Sequence, residues 1–260
     1  MDEPESVKMA QMGQHLRSIA AIGPSYWWHE HRNELVLTAL PRASKRILDF
    51  GCGNGAFLHW LAPKMDEGTA LCGYDVNSDT KALLPNRGSE ITLLPSWPPS
   101  PGERGFDSIV AMDVIEHVED DVGCLRSLAA ALTLDGRLVV TVPAYRCFWS
   151  SWDVRLGHYR RYDKAMLSTA LTQAGFTVER LTHLFTFLTG PALIRRLLPA
   201  KPANAPAAFA PLPRPMNTAL RLLCAAERQV LAGVNLPFGT SLLAVARRQG
   251  GGERGADERA

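Results

Sequence analysis

The sequence predicts an α/β fold, a parallel sheet with helices on both faces, and three observations predict it. The first is Ile47-Leu48-Asp49-Phe50, an apolar run entering a turn with glycine at 51, 53 and 55, followed by a helical pattern from Ala56 to Leu61. Strand, glycine turn and helix in that order open a nucleotide-binding unit. The second is Asp75, which closes the next apolar run at the offset where a carboxylate meets ribose hydroxyls. The third is the alternation of apolar runs with helical patterns through Val142, the βαβ rhythm of a parallel sheet.

Residues 1–40 read as a helical cap. One helix is expected over Met9 to Ala21, and a second opens at Tyr26-Trp27-Trp28 and runs to about Leu40, before Pro41. Three adjacent aromatics point all around a helix and cannot all face one core. Tyr26 and Trp28 are therefore candidates for substrate contact, with plain anchoring of the helix as the alternative. Arg32 is read as an exposed arginine in preference to a partner for a ligand carboxylate.

The core is expected over 41–183 and 239–248, with apolar runs at Ile47–Phe50, Ala70–Tyr74, Ile91–Leu94 and Gly136–Pro143, and a further strand with the loop after it over Phe106 to Val118. Asp163 to Gly175 is an amphipathic helix stopped by glycine, Phe176 to Leu181 alternates like a strand, and Ser241 to Ala246 is the last strand. Between them lies an insertion, 184–238. Its centre, Pro199 to Pro215, is Pro/Ala-rich and expected to be extended or mobile. Met216, Leu220, Leu223, Val230 and Leu231 share one stripe at the 3.6 period, and Glu227 falls on it. A carboxylate on an apolar face is costly unless paired or functional, which makes Glu227 a minor candidate for substrate contact, the alternative being a bond to an arginine. Residues 249–260 are glycine and charge, and are expected to be disordered.

Composition narrows the class. Of 260 residues, 46% are hydrophobic, enough for a sizeable core, and a net charge of +2 without a Lys/Arg run argues against a nucleic-acid surface. The five cysteines are widely spaced with no C-x-x-C pair, which fits a reducing cytoplasm better than a disulfide framework or zinc site. The acidic start lacks the order of a signal peptide, and the longest apolar stretch, Leu184 to Leu198, is broken by Gly190-Pro191 and Arg195-Arg196.

The glycine spacing separates cofactors. A dinucleotide site wants G-x-G-x-x-G facing a pyrophosphate. Here the third glycine comes one residue early and an acid, Asp49, precedes the first. That carboxylate would repel a pyrophosphate but suits S-adenosylmethionine, which carries an ammonium and no phosphate. At Asp49-x-Gly51-x-Gly53-x-Gly55 the sequence resembles the class I S-adenosylmethionine-dependent methyltransferases, and within them the bacterial type 11/12, ubiquinone/menaquinone methyltransferase-like group. The resemblance covers Arg46 to about His183. It implies a Rossmann-like, doubly wound, seven-stranded and mostly parallel sheet with an antiparallel last strand. It implies cofactor contacts from Asp49, Gly51, Cys52, Gly53 and Gly55, from Asp75 and Val76 after the second strand, and from Met112 and Asp113 after the fourth. Many members place an aspartate after strand three for the adenine amine. This chain has Pro95-Ser96-Trp97 there, so Ser96 or a backbone carbonyl takes that contact and Trp97 stacks on the ring.

Methyl transfer needs in-line positioning and, for some acceptors, loss of a proton. Two segments at the carboxyl ends of strands qualify. Asp113-Val114-Ile115-Glu116-His117 resembles an acid-x-x-E-H pattern that binds a divalent metal in some O-methyltransferases of the group. Helix capping gives similar letters, so no metal is assigned, and His117 is read as packing, substrate contact or catalysis. The second segment, Trp149-Ser150-Ser151-Trp152-Asp153 with Gly157-His158-Tyr159-Arg160-Arg161-Tyr162, resembles the W-S-x-x-D...G-H-x-R-R-Y stretch of the subgroup. His158 is the preferred base, because imidazole titrates near neutrality, with a histidine that only tethers the loop as the alternative; Tyr145 and Trp149 are candidates for the substrate, and Arg160 and Arg161 either bind an anionic group of it or simply start the next helix. The expected acceptor is a small or lipid-like molecule, with the insertion as a lid or a peripheral membrane contact through Arg195 and Arg196. A nicotinamide oxidoreductase and a non-catalytic binding subunit are the rivals.

Overall fold

The computed structural model describes residues 26–77, 91–197 and 212–250, with backbone alone at 195–197. The helix expected over 9–21, the centre of the insertion from 199 to 211, the side chains of Arg195 and Arg196, and the tail beyond 250 lie outside the described residues. Seven strands, β1 Arg46–Phe50, β2 Ala70–Tyr74, β3 Ile91–Leu93, β4 Phe106–Met112, β5 Leu132–Pro143, β6 Phe176–Leu184 and β7 Ser241–Arg248, form one sheet in the order β3-β2-β1-β4-β5-β7-β6. β7 runs antiparallel to both β5 and β6, as expected of the last strand. The described helices are α1 Trp27–Ala39, α2 Ala56–Leu61, α3 Asp121–Ala131, α4 Ser151–Leu156, α5 Lys164–Gln173, α6 Thr189–Leu197 and α7 Arg214–Leu231.

Successive residues of a strand point to opposite faces, and the core divides accordingly. Leu48, Ile109 and Val140 pack with α3 and α5 on one face, while their neighbours Ile47, Val110 and Val139 pack with α1 and α2 on the other. Because both faces are covered, the central strands read as unbroken apolar runs, which made them legible. A third cluster joins α1 and α7 to the far edge of the sheet through Trp27, Phe185, Leu231, Leu243 and Val245.

That cluster corrects two expectations. Tyr26 and Trp27 are buried, and Trp28 lies face to face on Phe185 with centroids 4.0 Å apart. The first turn of α1 is enclosed by α7 and the end of β6, so all three aromatics find packing partners, and Tyr26 and Trp28 serve to anchor the helix. The stripe on α7 also differs. Its buried side is Cys224, Glu227 and Leu231, with Leu220 packed beside them, whereas Met216, Leu223 and Val230 are each about half exposed at 52%, 48% and 49%. Apolar residues occupy two stripes of this helix, and polarity alone does not choose between them. Glu227 chooses. Its Oε2 accepts from His31 Nε2 at 2.7 Å and from Phe185 N at 2.8 Å, and its Oε1 from Thr186 N at 2.6 Å. Arg228 donates to His31 Nδ1 at 3.3 Å, so the ring proton sits on Nε2, facing the carboxylate. Glu227 pins the insertion to the cap.

Candidate active site

The sheet order reverses between β1 and β4, and the carboxyl ends beside that crevice hold the glycine loop. Gly51, Gly53 and Gly55 all have positive φ, at 78°, 51° and 67°, the left-handed region that glycine enters without strain. A Cβ on Gly51 would lie 2.4 Å from a Val114 methyl. Two bonds from Gly51 N and Cys52 N to the Tyr74 carbonyl, at 2.7 and 3.0 Å, hang the loop on β2. Asp75 completes the clasp, accepting from Gly53 N through Oδ2 and from Asn77 N through Oδ1, both at 2.8 Å. A carboxylate oxygen has more than one lone pair, so Asp75 can hold the loop and still accept from two hydroxyls. Val76, next to it, is 74% exposed, an apolar surface beside the crevice.

Asp49 is buried at the end of β1. Burial pushes its carboxyl up to about 7, against the pull of Arg32 and with a further push from Asp75. Arg32 is not the exposed residue expected. Its side chain is 16% exposed, Nη1 bonds Asp113 Oδ2 at 2.5 Å, and Nε is buried without a partner among the described residues. α1 thus reaches over the crevice and delivers a cation to it. Asp113 takes a positive φ of 55°, a strained state for an aspartate, and Thr141 Oγ1 donates to its Oδ1 at 3.2 Å. Met112 is half-buried before it, and Ser96 is exposed. Trp97 donates to Ser127 Oγ at 2.8 Å and packs edge-on against Phe50, with centroids 4.8 Å apart, so it is a fixed wall rather than a mobile stacking partner.

The loop after β5 is organised by a residue that sequence reasoning passed over, Asp153. Ser150 and Asp153 form a capping box at the start of α4, which is what the W-S-x-x-D letters encode. The Asp153 carboxylate, fully buried, accepts from Ser150 N at 2.8 Å, from Arg161 Nε at 2.6 Å and Nη2 at 3.1 Å, and from His158 Nδ1 at 3.0 Å. Burial alone would raise its pKa, but the bonds from His158 and Arg161 outweigh it and hold the carboxyl down to about 2. Gly157, in the left-handed region at φ 71°, turns the chain so that His158 folds back on Asp153. Arg160 bonds Asp121 at 2.8 Å and the Glu119 carbonyl at 2.5 Å, and the Tyr162 hydroxyl donates to Asp121 at 2.7 Å. The G-H-x-R-R-Y stretch is thus a clasp between the loops after β4 and β5 through Arg160 and Tyr162, while Arg161 holds Asp153 within the second loop. Tyr145, with φ 57°, stacks on His183 at 5.1 Å, and Trp149 is 38% exposed at the rim.

The clasp brings His158 to His117, their rings edge to face with centroids 4.6 Å apart. Glu116 joins them: one ligand atom from each of Glu116, His117 and His158 lies within 4.8 Å of the others. Glu116 is fully buried, and neither carboxylate oxygen has a hydrogen-bond partner among the described residues. Burial, reinforced by the charge of Asp113, holds its carboxyl well above the usual range. The sequence offered both residues, Glu116 in the E-H pair and Asp153 five residues before His158, but not the contact between the loops.

The family model described as "Methyltransferase domain" matches residues 27–181, more than half of the chain. The chain belongs to this family. Its cofactor is S-adenosylmethionine. Among curated relatives the methyltransferase chain is 30% identical to aklanonic acid methyltransferase DauC of Streptomyces sp. (strain C5) over 43% of its own length and 54% of the relative's. It is 32% identical to a ubiquinone biosynthesis O-methyltransferase of Caulobacter sp. (strain K31), over 38% of its length and 41% of the relative's. The chain thus spans about half the length of the curated relatives it matches. The solved structure of the [4+2]-cyclase SpnF has the same fold, with a TM-score of 0.59 at 18% identity, covering 95% of this chain and 96% of that one.

Proposed function

We propose that this protein transfers the methyl group of S-adenosylmethionine to an oxygen, nitrogen or carbon nucleophile of a small or lipid-like molecule. The observation that carries the reading is the glycine loop clasped by Asp75 at the sheet's switch point, with buried Asp49 beneath it. Asp75 accepts the ribose hydroxyls, Asp49 faces the ammonium, and Arg32 has an Nε without a partner among the described residues for the carboxylate of the cofactor's methionine portion. The relatives' names support a small organic acceptor, since one refers to aklanonic acid and the other to O-methylation in ubiquinone biosynthesis.

The acceptor proton leaves at the Glu116, His117 and His158 cluster, with His158 held in one orientation by Asp153, the base-and-orienter arrangement of many active sites. The half-exposed Leu193 and Ile194 of α6 and the outward stripe of α7 form a peripheral membrane contact or a cover over the acceptor. No helix of the described residues is long and apolar enough to cross a membrane. Five cysteines, none of them in a disulfide among the described residues, favour the cytoplasm. A second reading, cofactor binding without methyl transfer, has the [4+2]-cyclase neighbour on its side, because that fold is not confined to methyltransferases by name. Cell extracts incubated with methyl-labelled cofactor and the protein distinguish the two. A labelled small molecule that appears only with the protein supports transfer, and none in any extract, with S-adenosylhomocysteine still bound, favours the second reading.

A further inference from the structure

His183 stands at the carboxyl end of β6, in register with Leu242 of β7 and through it with Val142 of β5, at the same end of the sheet as the glycine loop. Its ring is buried, at 2% exposure, and its tautomer is fixed. Nδ1 lies 3.2 Å from the Leu236 carbonyl, which can only accept, so Nδ1 carries the proton. Burial outweighs that bond and, with the charge of Lys164, holds the pKa below the usual histidine range, so the ring is neutral near pH 7. Nε2 is then a bare lone pair, and it has no partner among the described residues. A buried acceptor left in this way forgoes the hydrogen bond that water gave it in the unfolded chain, a cost met where a ligand or an ordered water brings a donor.

The surroundings of the ring favour a ligand. Thr240 Oγ1, just before β7, is a second buried atom without a partner among the described residues. Its neighbour Gly239 is pressed on His183, a Cβ there lying 3.0 Å from His183 Cβ, and the Thr240 carbonyl accepts from Ala144 N at 2.9 Å, next to Tyr145. Tyr145 covers the imidazole, its ring stacked on it at 5.1 Å and its backbone at φ 57°, and strain of that kind gathers at ligand clamps. α6, from the insertion, packs on the turn 146–148 that follows Tyr145. We propose that His183 and Thr240 bind a hydroxyl group of the methyl acceptor, remote from the atom that is methylated. A hydroxyl can donate to the imidazole lone pair and accept from the threonine at once. On the methyl-transfer reading above, this gives the acceptor a length. β6 lies three strand spacings from β4, beside which the cofactor crevice opens, and that is about 14 Å at about 4.8 Å per spacing. An acceptor that meets both the cofactor and His183 is longer than one aromatic ring, with Tyr145 and α6 over its far end.

The test uses the full chain with S-adenosylhomocysteine and two probes that differ by one hydroxyl, 4-hydroxybiphenyl and biphenyl, each followed by equilibrium dialysis. The hydroxylated probe should bind at least about fivefold more tightly, the scale of one buried hydrogen bond. His183→Phe keeps an aromatic ring under Tyr145 and removes the lone pair, and Thr240→Val removes the hydroxyl at nearly constant volume. Both should bring the preference close to unity while leaving S-adenosylhomocysteine affinity unchanged. Equal affinity for the two probes, no binding of either, or a preference that survives in both variants overturns the proposal. Should a variant fail to fold, nitrogen-15 spectra of the unmodified protein decide. The His183 Nε2 resonance should be that of a bare lone pair and move upfield when 4-hydroxybiphenyl is added. A resonance that stays in place, or one that already reports a hydrogen-bonded nitrogen before the probe is present, shows that water or nothing completes the ring and overturns the site. Loss of S-adenosylhomocysteine binding by the unmodified protein would count against the methyl-transfer reading and not against the hydroxyl site, whose probe preference is measured separately.

Discussion

On the proposed reading Asp49 meets an ammonium as a carboxylate, yet burial lifts its carboxyl from 3.8 to about 7, with Arg32 and Asp75 as the charges facing it. The folded chain therefore holds a proton that the unfolded chain releases between those values. This carboxyl subtracts stability as pH rises through that window, and cofactor binding offsets the loss. S-adenosylhomocysteine should bind more tightly as pH rises from 6 toward 8, by up to about tenfold per unit below 7 and then level off. In Asp49→Asn the profile should be flat and the affinity lower, and an unchanged slope in that variant would remove Asp49 from the site. Asp153 works in the opposite direction. Its carboxyl, depressed to about 2, contributes stability that is present above its ordinary value of 3.8 and lost as pH falls through 2. Replacing His158 by alanine should lower turnover by about a hundredfold or more with little effect on S-adenosylhomocysteine affinity, as for the loss of a general base. Equal loss of both would mean that it only tethers the loop.

Among the elements, α7 depends most on a single side chain. Glu227→Ala removes the acceptor for His31, Phe185 N and Thr186 N at once. Breaking a buried pair of this kind costs roughly 3–5 kcal/mol, to be read from the shift of the urea midpoint, with the cofactor affinity of the folded fraction preserved. A shift under about 1 kcal/mol would show that α7 is held by its apolar contacts alone. The outward stripe of the same helix makes a separate prediction. Anionic vesicles should float the protein at low salt, and Leu223→Glu with Val230→Glu should abolish flotation while leaving stability within about 0.5 kcal/mol, since both side chains are about half exposed. If the intact protein does not float, the stripe is a cover for the acceptor or an interface between copies.

Across the whole molecule, what could be read from the sequence follows burial. Strands covered on both faces announce themselves as apolar runs, and β1, β2, β4 and β5 lie close to where the sequence placed them. The glycine loop was equally legible, because 51, 53 and 55 share a backbone state that only glycine takes easily. What stayed hidden are contacts between distant segments. Nothing local to Arg32 says that it meets Asp113, 81 residues away, and nothing local to Glu227 names His31, 196 residues away. Arg160 looked like an anion binder for the same reason, as its acid, Asp121, sits at the start of α3. The central claim is that the crevice at the carboxyl ends of β1, β2 and β4 holds S-adenosylmethionine with Asp75 on its ribose, and calorimetry with S-adenosylhomocysteine tests it most directly. The account predicts one site per chain on the unmodified protein, and for Asp75→Ala an affinity lower by at least about tenfold, given roughly 1.5–3 kcal/mol per hydrogen bond to a charged group. No binding by the unmodified protein, or equal affinity in the two, would contradict it.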